Sequence, residues 1–374
     1  MKLLSEYRDP ELVRLMLARI GERTTRPWRI MEVCGGQTHN LVKYGILSLL
    51  PEAITLIHGP GCPVCVTSLQ RIDQAVELSE RGVILCSYGD MLRVPGSRKS
   101  LLEAKAGGAD VRMLYSPLEA VRIARENPRR EVVFFAVGFE TTAPANGLAV
   151  VQAAREGLSN FSLLSAHVLV SPAMEALLAD PECRIDGFLA AGHVCTVMGY
   201  EEYESLAERH RIPIVVTGFE PLDLLRGILE LVALLEEGRT TVENAYGRVV
   251  RREGNPQARA LLAKVFEKVD RDWRGMGTIP GSGLDLRPEW KDFDALLKFA
   301  LDSKGSGEGN GCQAGRILKG VLKPPQCPLF GRECTPGTPK GAPMVSSEGA
   351  CAAYFHFAAF ASGDDAAEAP VSLP

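Results

Sequence analysis

The chain has 374 residues, of which 46% are hydrophobic and 24% charged, as in a globular protein of two or three domains. Its 42 basic and 46 acidic residues give a net charge of −4, which argues against a nucleic-acid-binding protein that depends on phosphate neutralisation. The N-terminal MKLLSEYRDPE lacks the apolar region of a signal peptide, and no apolar run is long enough to cross a membrane. We therefore expect a cytoplasmic chain, in which ten cysteines indicate metal or redox chemistry rather than structural disulfides.

Short apolar runs recur in two sets of four, and each run ends in a loop that contains Gly, Pro or Cys. Continuous runs of this kind are typical of strands buried on both faces of a parallel sheet. The second set repeats the first at a nearly constant offset of about 105 residues, which predicts two similar α/β domains facing a cleft, at 25–118 and 119–222. The first set is 28–33, 53–57, 82–85 and 109–114, and the second is 132–137, 161–164, 187–190 and 212–216.

The character of the chain changes at residue 223. An apolar helix is predicted from Asp223 to Gly238, and another from Asn255 through Val269. The stretch 303–343 is rich in Gly and Pro and needs something other than an apolar core to hold it. We expect 223–374 to form a third, helical and loop-rich domain, with residues 1–24 packed nearby.

The motif CGGQTH, residues 34–39, directly follows the first run. In open parallel sheets, ligands bind beyond the carboxyl ends of the strands. Gly35 and Gly36 let the backbone approach a ligand closely and can turn N–H groups toward an anion. Cys34 and His39 are candidate metal ligands, although a lone cysteine after a strand is more often a small buried side chain.

The motif GPGCPVCVT, residues 59–67, follows the second run and contains a C-x-x-C pair. Cys62 and Cys65 are close enough to form a reversible disulfide, and a helix N-terminus beside them would lower the pKa of a thiol. The alternative is half of a zinc knuckle, which needs a second ligand pair. The strand–CPVC–helix setting favours a redox pair.

Two further loops carry polar residues at the carboxyl ends of predicted strands. The loop after the fifth run contains Glu140, Thr141 and Thr142, and the loop after the seventh contains His193. Glu140 and His193 are candidate acid/base or ligand-positioning groups. A hydrogen-bonded core histidine is an equally good interpretation of His193, and Thr141 or Thr142 could cap the following helix.

Four cysteines lie in the C-terminal region, where they could hold an iron–sulfur cluster or zinc. Their spacing lacks the close C-x₂₋₄-C pairs of structural zinc sites, which favours the cluster. The four are Cys312, Cys327, Cys334 and Cys351. We expect packing or surface roles for the remaining cysteines and for the histidines outside these motifs, namely Cys86, Cys183, Cys195, His58, His167, His210 and His356.

Taken together, these motifs resemble the HypD family of [NiFe]-hydrogenase maturation factors. The similar segments extend from residue 34 to residue 354 and therefore cover nearly the whole chain. They are CGGQTH, HGPGCPVCVT, SYGDMLRVPGS, VGFETTAPA, ENAYGRVVRREGN, WRGMGTIPGSGL, CPLFGRECTP and MVSSEGACAAY.

The resemblance implies a scaffold for assembling an Fe(CN)₂CO group, more than a conventional turnover enzyme. A transient iron carrying cyanide and carbon monoxide would be held at Cys34, and the Cys62–Cys65 pair would exchange electrons with a C-terminal [4Fe–4S] cluster. The implied partners are a HypC-type small chaperone, a HypE-type cyanide donor and, indirectly, the hydrogenase large subunit. Family members often carry further cysteines where this chain has Ala314 and Pro343, so its four C-terminal cysteines are the natural cluster ligands.

Two other functions stay open from the sequence. An iron–sulfur thiol–disulfide oxidoreductase would act on a protein disulfide through Cys62 and Cys65 and would need no role for CGGQTH. A zinc-stapled binding protein would use the C-terminal cysteines only to hold its fold together.

Overall fold

The computed structural model describes residues 6–301 and 311–357, so the expectations for 1–5, 302–310 and 358–374 lie outside it. The strands are β1 Trp28–Glu32, β2 Ile54–His58, β3 Ile84–Ser87, β4 Val111–Met113, β5 Val132–Gly138, β6 Phe161–Val168, β7 Gly187–Ala191, β8 Ile214–Thr217, β9 Val242–Asn244, β10 Phe266–Trp273 and β11 Gly277–Leu286. The α-helices are α1 Pro10–Arg23, α2 Gly35–Lys43, α3 Ile46–Leu49, α4 Pro63–Val66, α5 Leu69–Glu80, α6 Leu101–Ala106, α7 Pro117–Glu126, α8 Ala143–Arg155, α9 Val170–Ala179, α10 Gly192–Met198, α11 Glu201–His210, α12 Pro221–Glu236, α13 Pro256–Val265, α14 Ala295–Lys298, α15 Ala314–Leu318 and α16 Ala350–Phe357.

Strands β1 to β8 confirm the eight runs expected from the sequence, and they form sheets that are largely parallel. Every residue of β5 and β6 is buried, because both faces of their sheet are covered. The chain therefore has the α/β fold that the apolar runs predict.

The first sheet has five parallel strands in the order β2-β1-β7-β8-β9. Counted by their occurrence along the chain, these are the second, first, third, fourth and fifth strands of the sheet. This is a doubly wound order, in which the direction of winding reverses between β1 and β7. The carboxyl ends of those two strands form the switch point, where sheets of this kind bind their ligands.

The second sheet repeats this arrangement and adds a hairpin. Its order is β10-β11-β6-β5-β3-β4, and strands β3 to β6 are parallel. Read from the β4 edge, these four are the second, first, third and fourth strands of the sheet along the chain. The antiparallel pair β10–β11 joins the edge of β6. The switch point of this sheet lies between β3 and β5, directly before Glu140.

The strands are not divided between the sheets along the boundary expected at residues 118 and 119. Strands β1 and β2 pair with β7 to β9, whereas β3 and β4 pair with β5 and β6. The chain thus leaves the first sheet after β2 and returns to it at β7. Parallel strands are always joined by crossovers, so a regular sequence offset does not reveal which sheet a strand enters.

The helix expected to run through Val269 ends at Val265, and β10 begins at Phe266. Glu267 and Lys268 are exposed, while Phe266 and Trp273 are buried. The hydrogen-bonding partner that makes this segment a strand is β11, which a helical reading of the local pattern does not take into account. The predicted third domain is therefore not purely helical and loop-rich, because its hairpin extends the second sheet.

The apolar helix near residue 223 is confirmed as α12, which begins at Pro221 and ends at Glu236. Its N-cap is Glu220, and Asp223 lies three residues further on. Near the end of the described chain, α16 packs against α2 and brings the C-terminal segment to the carboxyl edge of the first sheet. Within residues 6–301 and 311–357, no helix combines the length and apolar character of a membrane span.

Candidate functional site

Cys34 lies at the switch point of the first sheet. It follows β1, is the N-cap residue of α2 and is completely buried. Its sulfur lies 3.5 Å from Nδ1 of His193, which stands at the start of α10 just after β7. The carboxyl-end rule thus placed both residues correctly, and the doubly wound strand order brings them together.

The surroundings of Cys34 disfavour a bare thiolate. Burial raises the pKa of its thiol well above the ordinary value, and the carboxylates of Glu32 and Glu348 act in the same direction. Hydrogen bonds from the backbone N–H groups of Gln37 and Gly36 oppose this rise. A cation bound to the sulfur would offset the cost of burying its charge, so this position suits a metal ligand.

His193 offers a neutral imidazole beside that sulfur. Burial lowers the pKa of His193 to about 4, so the ring carries no charge near neutral pH. The ring of Phe219 lies against it, with centroids 5.4 Å apart. A neutral imidazole can accept a hydrogen bond or ligate a metal.

The glycines around Cys34 allow neighbouring loops to pack closely together. The N–H of Gly35 donates to the carbonyl of Gly61 at 2.8 Å, and a Cβ on Gly61 would overlap the Cys34 backbone. A Cβ on Gly35 would lie 2.5 Å from Cβ of Glu348. The expectation that both Gly35 and Gly36 turn their N–H groups toward an anion needs correction for Gly35, whose N–H is bonded to the Gly61 carbonyl. The N–H of Gly36 is directed at the Cys34 sulfur.

The C-x-x-C pair lies beside this loop. Cys62 and Cys65 are joined as a disulfide with Cα atoms 5.3 Å apart, and both residues are buried. Cys62 is the N-cap residue of the short helix α4, and its sulfur accepts the backbone N–H of Cys65 at 3.3 Å. Exchange of this disulfide with a redox partner stays a prediction.

The other site residues expected from the sequence lie elsewhere. Nδ1 of His39 donates to the carbonyl of Ser347 at 2.9 Å, and its ring packs edge-on against Phe357. The side chain of Thr142 donates to the Phe139 carbonyl at 3.2 Å. Among the hydrogen bonds found within the described residues, none joins Thr141 or Thr142 to Cys34.

Glu140 is buried at the switch point of the second sheet. One carboxyl oxygen accepts the backbone N–H of Val170 at 3.0 Å, and burial raises the pKa of Glu140 to about 7. Its charge interacts with Cys195 and Tyr203 in the apolar core. Its observed partners are thus core residues, and the acid/base or ligand-positioning role expected for Glu140 stays a prediction.

Sequence reasoning missed two carboxylates at the Cys34 site. Glu32 is completely buried at the end of β1, where its Oε2 accepts the Cys34 N–H at 2.8 Å. Glu348 comes from the C-terminal segment and packs over Gly35. The sequence signal for Glu32 was a charged residue inside the apolar run 28–33. No local signal connects the SSEGAC segment with CGGQTH.

The four C-terminal cysteines line one cavity of about 330 Å³, a volume that includes its opening to solvent. Ala314 and Pro343 line the same cavity. Within the described residues, no three His, Cys, Asp or Glu side chains form a group placed to hold a single metal ion. The thiols therefore share a cavity rather than a preformed single-ion site.

This cavity fits an iron–sulfur cluster in its donors and its walls. Burial raises the pKa of Cys351, and the charges of Cys312, Cys334 and Cys327 raise it further, so these thiolates would need a cationic group among them. The backbone N–H of Lys340 donates to the Cys334 sulfur at 3.3 Å, a type of hydrogen bond that tunes cluster thiolates. Apolar walls, including Ile317, Phe330 and Met344, complete the cavity.

Comparison with known proteins places this geometry in context. A family model for HypD, described as the hydrogenase formation hypA family, matches residues 11–358. The hydrogenase maturation factor HypD of Azotobacter vinelandii is 50% identical over 367 residues, covering 96% of this chain and 97% of that protein. The factors of the same name from Rhodobacter capsulatus and Escherichia coli K12 are 48% and 46% identical, each covering 96% of this chain and 98% of its own length.

Proposed function

The chain belongs to the HypD family of hydrogenase maturation factors, and from that premise we propose that it is the scaffold on which an Fe(CN)₂CO group is assembled at Cys34. The observation that carries the proposal is the meeting of Cys34 and His193 at the switch point, with Glu348 packed over the same loop. Thiolate is a soft ligand that suits an electron-rich iron carrying diatomic groups. A buried thiol beside a neutral imidazole is a suitable place to receive that iron as cargo.

The residues around Cys34 have distinct tasks in this proposal. The N–H groups of Gly36 and Gln37 donate to the sulfur and favour its thiolate form when the iron binds. Nδ1 of His193 lies within hydrogen-bonding reach of the thiol and can accept its hydrogen. Phe219 packs against the His193 ring.

The C-terminal cavity has the donors for a resident cluster. Cys312, Cys327, Cys334 and Cys351 would hold a [4Fe–4S] group, which supplies single electrons when bound. The Lys340 N–H and the apolar walls would shield its sulfur ligands from solvent. Cys62 and Cys65 can store two electrons as a dithiol, since the structure joins them as a disulfide.

A maturation factor works with other parts of the maturation machinery. The proposed partners are a HypC-type small chaperone and a HypE-type cyanide donor, with the hydrogenase large subunit as the eventual acceptor. Cys34 supplies one protein ligand, and the iron needs further ligands and donors that this loop does not contain. The complete burial of Cys34 in the isolated chain implies that partner docking opens the loop.

Infrared spectroscopy of Cys34→Ala, purified with its partners, tests this function. We expect the cyanide and carbonyl bands to disappear, because the iron loses its protein ligand, while the visible absorbance of the C-terminal cluster remains. Cys86→Ala is the matched control, since Cys86 is equally buried but lies in β3 of the second sheet. Bands of full intensity in Cys34→Ala would contradict the assignment.

The observed disulfide also supports a second candidate, an iron–sulfur thiol–disulfide oxidoreductase acting on a protein disulfide. In that case Cys34→Ala would still turn over a disulfide substrate, whereas Cys62→Ala would not. Cys62 and Cys65 are only 3% and 1% exposed, so a protein substrate would reach them only after the loop opens.

A further inference from the structure

His58 ends β2 and was expected from the sequence to have only a packing or surface role. It is 5% exposed, and its ring lies between two hydrogen-bonding partners. Nδ1 is 2.8 Å from Oε1 of Glu32, and Nε2 is 3.2 Å from the hydroxyl of Tyr354. A carboxylate accepts, so Nδ1 carries the hydrogen of the first bond, while Nε2 and the Tyr354 hydroxyl form the second bond.

Glu32 connects His58 to Cys34. Its Oε2 accepts the Cys34 backbone N–H at 2.8 Å, while Oε1 accepts from His58 and from the hydroxyl of Thr38. Because Thr38 lies in α2, the carboxylate holds both the cap and the first turns of the helix that follows Cys34. The orientation of Glu32 therefore determines where the Cys34 backbone lies.

Tyr354 provides the far end of this chain of hydrogen bonds. It lies in α16, three residues after Cys351, and its ring packs edge-on against His58 at 5.5 Å. Burial and the charge of Glu32 raise the pKa of Tyr354 to about 12, so its hydroxyl keeps its hydrogen near neutral pH. The helix that carries a cluster-cavity cysteine thus also reaches the Cys34 loop.

We propose that His58 is a positioning residue for Cys34: held between Glu32 and Tyr354, it fixes the carboxylate that anchors the Cys34 loop and makes that anchoring depend on α16. The importance of Cys34 rests on the proposed function, but the anchoring itself is a property of the free chain. If His58 only filled space, removing the hydroxyl of Tyr354 would leave the reactivity of the Cys34 thiol unchanged.

The test is the rate at which iodoacetamide alkylates Cys34 in the anaerobically purified full-length chain. Trypsin releases Cys34, Cys86 and Cys195 in separate peptides, 30–43, 82–93 and 185–209, each with one cysteine, so mass spectrometry follows the three thiols independently. Cys86 and Cys195 are fully buried and report general loosening of the two sheets. This readout needs no iron cargo, partner or turnover.

We expect Tyr354→Phe to raise the Cys34 alkylation rate roughly 2- to 10-fold, as loss of one buried hydrogen bond allows, with Cys86 and Cys195 unchanged. His58→Leu should raise the rate more than Tyr354→Phe does. His58→Gln can still donate to Glu32 and should raise the rate less than His58→Leu does. Tyr88→Phe is the matched control, because its hydroxyl interacts with Asn146 beside the second sheet. It should leave the Cys34 rate unchanged.

An unchanged Cys34 rate in Tyr354→Phe would overturn the proposal, as would equal increases at all three thiols. Tyr354→Phe keeps the ring in place and decides the question even if the His58 variants fail to fold. Failure of the scaffold function would show separately, as cyanide and carbonyl bands that survive in Cys34→Ala.

Discussion

Glu32 and Glu140 are both buried carboxylates at strand ends, but their partners differ. Glu32 accepts hydrogen bonds from Cys34, Thr38 and His58, which together satisfy both of its oxygens. Glu140 accepts from Val170 through one oxygen, and its Oε2 has no partner. Burial disfavours the charged carboxylate, and the backbone hydrogen bonds to Glu140 offset this only in part, so its pKa is raised.

Glu140→Gln should therefore change how stability depends on pH. With a folded-state pKa of about 7 against an ordinary 4.5, Glu140 stabilises the fold while protonated, fully below about pH 4.5. This contribution is lost as the pH rises through about 7. The unfolding free energy of the variant minus that of the wild type should rise by up to about 3 kcal/mol between about pH 4 and pH 8.

Urea unfolding at the two pH values measures this difference. The buried histidines His167 and His193 titrate in both proteins, so their contributions cancel. Glu267→Gln, at an exposed position, is the control and should show a constant difference from the wild type. A difference that does not vary with pH in Glu140→Gln would refute the assignment.

At the scale of elements, the site depends on how closely the loops after β1 and β2 approach one another. Gly35 donates to the Gly61 carbonyl, and there is no room for a side chain between Gly61 and the Cys34 backbone. This contact sets the CGGQTH loop directly against the CPVC loop. The two cysteine motifs thus form a single packed unit at one end of the first sheet.

Gly61→Ala should break this unit, because its new methyl group would meet backbone atoms that cannot rotate away. We expect the unfolding free energy to fall by about 1–3 kcal/mol or more, as for other overpacked sites. Gly247→Ala is the matched control, since its nearest neighbours would lie 4.0 Å from the added Cβ. Thermal or urea unfolding compares the two, and equal stabilities would show that the loops can separate without cost.

At the scale of the molecule, the C-terminal segment joins the two candidate sites. Ser347, Glu348 and Tyr354 contact the Cys34 loop or its hydrogen-bonding partners, while Cys351 lines the thiol cavity. Because these residues lie within one turn and one helix, the two sites cannot move independently without straining α16 or the turn before it.

Cys351→Ser should abolish binding of the proposed cluster, because four C-terminal thiols leave no spare ligand. We expect the iron content of anaerobically purified protein to fall from about four atoms per chain toward zero, with loss of the brown colour. Cys86→Ser removes a buried thiol away from the cavity and should retain its iron. Zinc in place of iron in the wild type would contradict the cluster assignment.

The sequence by itself determined eight strands and the residue types of the candidate sites: the CGGQTH and CPVC loops at strand ends, and four C-terminal thiols. These follow from local periodicity and residue type, which depend only on near neighbours along the chain. The tertiary structure alone decided that β1 pairs with β7, so that Cys34 meets His193, and that Glu348 and Tyr354 return to the same place. It also made residues 266–273 a strand, because β11 supplies the hydrogen bonds. Strand pairing and crossovers join residues far apart in sequence, and no short segment encodes its distant partner.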